Sequence, residues 1–167
     1  AFLSKHNTCV NRYKLGATSA TKTTLDNALL DGAPTAFKML SSSSLFKNLL
    51  VGTDNGKLFK VAVNSSSGNW TEITGTNFVG SISCVELGDT EDDIYVTFYN
   101  YGVTNIFYSN DGGISWQNKE GDFPDIPVRA IMPNPLNPNE VIIGTDLGVW
   151  GTTDFSVTSP NWYRADN

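Results

Sequence analysis

Short runs of β-branched, aromatic and aliphatic residues, broken by Gly, Asn, Asp and Ser, recur along the whole chain. Runs of this kind bounded by turn residues predict strands and hairpins. They also repeat at long range. Trp70, Trp116 and Trp162 stand at a constant spacing of 46 residues, each ahead of a polar segment suited to an outer strand. At that offset Leu49-Leu50-Val51-Gly52-Thr53-Asp54 aligns with Tyr95-Val96-Thr97-Phe98-Tyr99-Asn100 and with Val141-Ile142-Ile143-Gly144-Thr145-Asp146. Two of these end in turn signals, Asp54-Asn55-Gly56 and Asp146-Leu147-Gly148, and so read as strands entering hairpins.

The strands that follow are Lys57 to Val63, Asn105 to Ser109 and Val149 to Thr153. One strand upstream, Ala36-Phe37-Lys38-Met39 pairs by offset with Ile82-Ser83-Cys84-Val85 and Val128-Arg129-Ala130-Ile131. Each unit thus predicts four antiparallel strands, and a repeat of roughly 40–50 residues suits a propeller blade. The expected fold class is all-β, a β-propeller segment of about three blades plus a partial one. The units are 1–33 (a partial preceding blade), 34–79, 80–125 and 126–167. The partial blade rests on an echo of Lys57-Leu58-Phe59-Lys60-Val61 in Asn11-Arg12-Tyr13-Lys14-Leu15, and Thr24 stands where a tryptophan is expected. Helix is negligible, with at most a turn over Leu25 to Leu30.

Composition agrees with a packed protein: 40% hydrophobic, 17% charged, 15 Gly. A formal charge of −6 disfavours phosphate backbones and anionic surfaces, so no nucleic-acid partner is expected. No apolar run is long enough to span a bilayer, and no charged-then-apolar leader opens the sequence. Cys9 and Cys84 lack metal-ligand or redox spacing, and free thiols are expected rather than one long-range bridge. His6 is the single histidine, which argues against a His-dependent triad. The acidic stretch Asp89, Glu91, Asp92 and Asp93 lacks EF-hand spacing and reads as a solvated loop, so no metal and no cofactor are expected.

The middle unit contains Ser109-Asn110-Asp111-Gly112-Gly113-Ile114-Ser115-Trp116. This resembles the Asp-box, or BNR repeat, with the pattern Ser/Thr-x-Asp-x-Gly-x-Thr/Ser-Trp. Ser109, Asp111, Gly113, Ser115 and Trp116 fill the signature positions. The carboxylate is suited to accept N–H bonds within its own turn, glycine permits positive φ, and the indole fills the gap between sheets. The other copies read as degenerate. Ser65 stands at the Asp position before Trp70, and Thr152-Thr153-Asp154 precedes Trp162 without the glycine. The resemblance implies a propeller of the kind found in sialidase-, xyloglucanase- and sortilin-like proteins, with the boxes at the blade periphery.

For catalysis the resemblance offers little. A sialidase needs an arginine cluster to clamp a carboxylate, whereas this chain has three arginines, and the offset aligns Arg129 with Phe37 and Ser83. A xyloglucanase-like reading draws on the Gly-Thr-Asp hairpins, with Asp54 and Asp146 as candidate catalytic residues and turn capping as the plainer role. Tyr99, Tyr101, Trp150 and Tyr163 are candidates for sugar stacking, with packing between blades as the alternative. The expected function is a non-catalytic scaffold or binding segment whose partner is a protein or a polysaccharide. Further blades or another copy would complete the ring. The rival is part of a glycoside hydrolase. The resemblance implies export, to a secreted, periplasmic or cell-surface location, and Asn64-Ser65-Ser66 and Asn69-Trp70-Thr71 are sequons.

Overall fold

The computed structural model describes residues 2–5, 9–40, 47–63 and 68–165, and among them there is no helix. Fifteen strands form four antiparallel sheets. The first sheet has three strands, β1 (Phe2–Lys5), β2 (Cys9–Leu15) and β3 (Ala20–Asp26). The second has β4 (Pro34–Met39), β5 (Lys47–Thr53), β6 (Leu58–Val63) and β7 (Gly68–Glu72). The third has β8 (Ile82–Leu87), β9 (Ile94–Phe98), β10 (Ile106–Ser109) and β11 (Gln117–Asn118). The fourth has β12 (Val128–Asn134), β13 (Asn137–Thr145), β14 (Gly148–Thr152) and β15 (Tyr163–Arg164). Each four-stranded sheet is a meander in chain order, which is the topology of a propeller blade.

The sheets approach one another along their inner strands, β4 beside β8 and β8 beside β12. Three apolar layers fill the gaps between successive sheets. Val10 and Leu25 meet Leu49, Val51 and Phe59 in the first layer, and Leu50 and Leu58 meet Val85, Val96 and Phe98 in the second. Tyr95 and Ile106 meet Ile131, Val141 and Ile143 in the third. A strand covered on both faces needs a continuous apolar run rather than alternation. That is why every residue of β9 is buried, and Leu49, Leu50 and Val51 with it. In β13 only one face is covered, so Val141 and Ile143 are 1% exposed while Ile142 between them is 44% exposed.

The three inner strands share a bulge, at Thr35, Ser83 and Arg129, where the register to the next strand skips one residue. The ladder therefore corrects two alignments drawn at the constant offset. Gly52, Thr97 and Gly144 are equivalent, being opposite Ala36, Cys84 and Ala130. In its second strand the middle unit is thus one residue out of step with the 46-residue spacing, and in its inner strand two residues, Thr35 and Ser83 being 48 apart; a one-residue slip exchanges the two faces of a strand. Asp54 and Asp146 correspond to Tyr99, not Asn100. Arg129 corresponds to Thr35 and Ser83, not to Phe37. At the bulge, the Thr35 hydroxyl donates to Ile82 O at 2.7 Å and the Ser83 hydroxyl to Val128 O at 2.6 Å. Each bond fastens one blade to the next. Cys9 lies in β2 and Cys84 in β8, with no disulfide between them.

Candidate functional site

Polar side chains gather at the outer turns before the last strand of the third and fourth sheets, and at the hairpins between the second and third strands. At the outer turn of the third sheet, the Ser109 hydroxyl donates to Asp111 Oδ1 (2.7 Å) and accepts the Gly113 N–H (2.9 Å). The Asp111 carboxylate accepts the Ser115 N–H (2.9 Å) and the Ser115 hydroxyl (2.5 Å). These bonds, the Ser115 hydroxyl foremost, hold the carboxyl down to a pKa of about 2. Gly113 has φ 92, and a Cβ there would lie 2.8 Å from the Ile73 side chain, so the turn needs glycine. Trp116 donates its indole N–H to Ile73 O of the preceding sheet (2.9 Å) and packs on Phe78.

The fourth sheet repeats this chemistry despite its unlike sequence. Thr152 donates to Asp154 Oδ1 (2.7 Å), and Asp154 accepts the Asn161 N–H (3.2 Å) and side-chain amide (3.0 Å). Asn161 thus does the work of Ser115 across a longer loop, and Trp162 donates to Lys119 O (3.1 Å). Asp154 is held below its ordinary range, by Thr152 first and Asn161 second. The copy read as degenerate keeps the arrangement. In the second sheet, β6 and β7 pair on through Val63 and Gly68. Val63, not Ser65, falls at the Asp111 position, because Val61 is the ladder equivalent of Ser109. Residue 65 lies outside the described residues. Trp70 is opposite Val61, the position Trp116 and Trp162 hold in their sheets, but its buried indole N–H has no hydrogen-bond partner among the described residues.

A groove of about 330 Å³ runs beside the Asp111 turn, lined in part by Asn77, Phe78, Ile114, Ser115 and Trp116. Ser115 is the polar side chain of the turn that lines it, while the Asp111 oxygens are taken up within the turn. The acidic stretch is internally bonded as well: Asp93 accepts the Thr90 hydroxyl (2.6 Å) and the Tyr108 hydroxyl (2.7 Å). Among the described residues no group of acidic, His or Cys side chains is arranged to hold a metal ion. Lys119 belongs to no sequence motif, yet it is 2% exposed. Its ammonium donates to Val157 O (2.7 Å) and sits over the rings of Phe155 and Tyr108, and burial lowers its pKa.

The hairpin end of the sheets carries both candidate carboxylates, in different surroundings. Asp54 accepts the Ala33 N–H at 2.8 Å. Beside it Thr53, Asn55, Asp31 and Lys57 form a chain of bonds closed by the Lys57–Asp31 ion pair (2.9 Å). Asp146 instead accepts Arg129 Nε at 2.9 Å and the Tyr99 hydroxyl at 2.8 Å. Arg129 Nη2 also reaches the Tyr99 hydroxyl, and its guanidinium lies 3.7 Å from the Tyr99 ring centroid. Arg129, then Tyr99, holds the Asp146 carboxyl below its usual range, while Asp146 raises the Tyr99 phenol. This triad bridges the third and fourth sheets, and its Arg129 and Asp146 side chains are 53% and 55% exposed.

Of the four aromatics singled out for stacking, Tyr99 lies under Arg129 and Trp150 packs edge-on to Phe123. Tyr101 and Tyr163 are exposed, at 68% and 65%. No hydrogen bond among the described residues joins Asp54 to Asp146. A signal for the triad was present in sequence but unread: the one residue pair, Ile126-Pro127, that breaks the pattern of Gly32-Ala33 and Gly80-Ser81.

No family model matches the chain. No curated protein matches it either. Among solved structures it is similar to a GH74 enzyme of Niastella koreensis, with a TM-score of 0.62 and 18% identity. The similarity covers 92% of this chain and 28% of that one. The chain thus spans little more than a quarter of that enzyme's length, and what the two share is the fold of successive antiparallel propeller blades.

Proposed function

We propose that the chain is a non-catalytic run of Asp-box propeller blades from a larger exported protein, and that its hairpin end binds polysaccharide. The Asp-box reading is supported by the paired turns at Asp111 and Asp154, in which hydroxyl, carboxylate and indole play the same parts. The observation that carries the non-catalytic reading is that both hairpin carboxylates are committed. Asp54 is tied to a backbone amide and Asp146 to a guanidinium. Polysaccharide is favoured as partner by the group of exposed Arg129 and Asp146 on half-buried Tyr99, whose opposite charges cancel and whose donors and acceptors suit neutral hydroxyls. Asn69, in the second sequon, is exposed on β7, as a glycan acceptor in a secretory route would be; Asn64 lies outside the described residues.

Titrating the chain with a soluble β-glucan by calorimetry is the direct test. Binding that is lost in Arg129→Ala, without release of reducing sugar, is the expected result. No binding by the unaltered chain would overturn the assignment of ligand.

A second reading, a segment of a glycoside hydrolase, is favoured by Asp146 being exposed and held ionised, which suits a base rather than an acid. The fold likeness to the GH74 enzyme points the same way. Reducing-sugar release that disappears in Asp146→Asn or Asp54→Asn would transfer the conclusion to this reading.

A further inference from the structure

The segment leading into each inner strand explains why the two hairpin carboxylates differ. In the second sheet Gly32-Ala33 precedes β4, and the Ala33 N–H is capped by Asp54. In the third, Gly80-Ser81 precedes β8, and the Ser81 N–H is capped at 2.6 Å by Asn100 Oδ1, which comes one residue after Tyr99, the ladder counterpart of Asp54. Both glycines make room for the hairpin. A Cβ on Gly32 would run into Asn55 and Asp54, and one on Gly80 into Asn100. In the fourth sheet the same two positions are Ile126 and Pro127. Proline has no N–H to cap, and Ile126 packs into the adjoining apolar layer in place of a glycine.

We propose that Pro127 is a positioning residue: by deleting the amide that a hairpin side chain caps in the other two sheets, Asp54 in one and Asn100 in the other, it leaves Asp146 to Arg129 and Tyr99 and so creates the polar group at the hairpin end. The Arg129 side of the exchange has its own cause. At the bulge, Thr35 and Ser83 are short hydroxyl residues whose reach ends at the next inner strand. Arg129 is long enough to turn back over Tyr99 and meet the freed carboxylate. Two substitutions relative to the repeat, one removing a donor and one adding a longer donor, thus convert a turn cap into an exposed ion pair. The assignment of ligand-binding consequence rests on the reading given under Proposed function; the release of Asp146 does not.

The test restores the repeat sequence in the 167-residue chain, as Ile126→Gly/Pro127→Ala, with Pro127→Ala alone as the milder variant. Amide and guanidinium signals are followed by NMR, with the thermal transition confirming that each variant is folded. Capture of Asp146 by the backbone amide introduced at position 127 should protect that amide from exchange, and should leave the Arg129 Nε–H exchanging at least about tenfold faster than in the unaltered chain. The Asp146 carboxyl, read by its carbon shift against pH, should change its midpoint as the guanidinium is exchanged for an amide. A purely structural role for Pro127 would move the thermal transition and none of these signals. An Arg129 Nε–H as protected as before, in a folded double variant, overturns the proposal. Loss of β-glucan binding in the double variant supports the binding reading as well. Retained binding with Asp146 captured sinks that reading and leaves the positioning role standing.

Discussion

Gly113 is held at φ 92 with Ile73 against its α-carbon, so Gly113→Ala must both strain the backbone and push on the neighbouring blade. A cost of about 1–3 kcal/mol is expected, visible as a lower Tm. Asp111 lends itself to a pH test. Its folded pKa, about 2, lies below the ordinary carboxylate value, so its contribution is complete above that ordinary value and is lost as pH falls towards the folded one. Asp111→Asn should therefore flatten the loss of stability between about pH 4 and about pH 2, measured by denaturant melts across that range. Lys119 has the opposite sign. Burial lowers its pKa, so the unfolded chain binds the extra proton and stability rises as pH climbs towards the ordinary lysine value. In Lys119→Met that alkaline rise should vanish, and the variant should be as stable as the parent or more so by about 1 kcal/mol at neutral pH, because a buried charge without an acidic partner is replaced by an apolar chain of similar length.

Among the elements, the inner strands hold the fastening between blades. Ser83→Ala removes the hydroxyl bond from β8 to Val128 O and should cost about 1 kcal/mol in denaturant unfolding; a silent substitution would show that the apolar layer alone joins the blades. Much of this architecture was legible from sequence because strands covered on both faces, such as β9, announce themselves as unbroken apolar runs. The bulges were not legible. A constant 46-residue spacing between tryptophans hides compensating shifts, since β6 to β10 and β10 to β14 are offset by different amounts on the ladder. A constant offset therefore sets Asn100, not Tyr99, beside the two hairpin aspartates, and Phe37, not Thr35, beside Arg129. The turn at Asp154 is hidden in the sequence for a related reason. Its second partner, Asn161, comes seven residues later rather than four, and only the folded loop brings the two together.

At the scale of the molecule, the outer face of the last sheet is the surface with an unmet requirement. Leu50 and Tyr95 are buried by the sheet that follows each of them, while their equivalent, Ile142, is 44% exposed and flanked by exposed Met132 and Val149. A following blade, or the same face of another copy, fits that strip, and such apolar patches drive association. Ile142→Lys should therefore reduce any self-association of the 167-residue chain in sedimentation without lowering its Tm, because the side chain supports nothing within the described sheets. A Tm that falls as it would for a core substitution would contradict the equivalence.

The two kinds of fastening between sheets also run in opposite directions. At the inner strands Thr35 and Ser83 reach forward to the following sheet, and at the outer turns Trp116 and Trp162 reach back to the preceding one. Each interface bounded by both is pinned at its narrow edge and at its wide edge, like a book clasped at spine and fore-edge. Opening such an interface as a hinge stretches whichever clasp lies away from the pivot, so the easy deformation left to the blades is a shared twist. Among the described residues the Trp70 indole finds no acceptor, so none of them supplies a wide-edge clasp from the second sheet back to the first. Under mechanical load from the ends of the chain, the interface between the first and second sheets should therefore part first, as the earliest rupture event in single-molecule pulling.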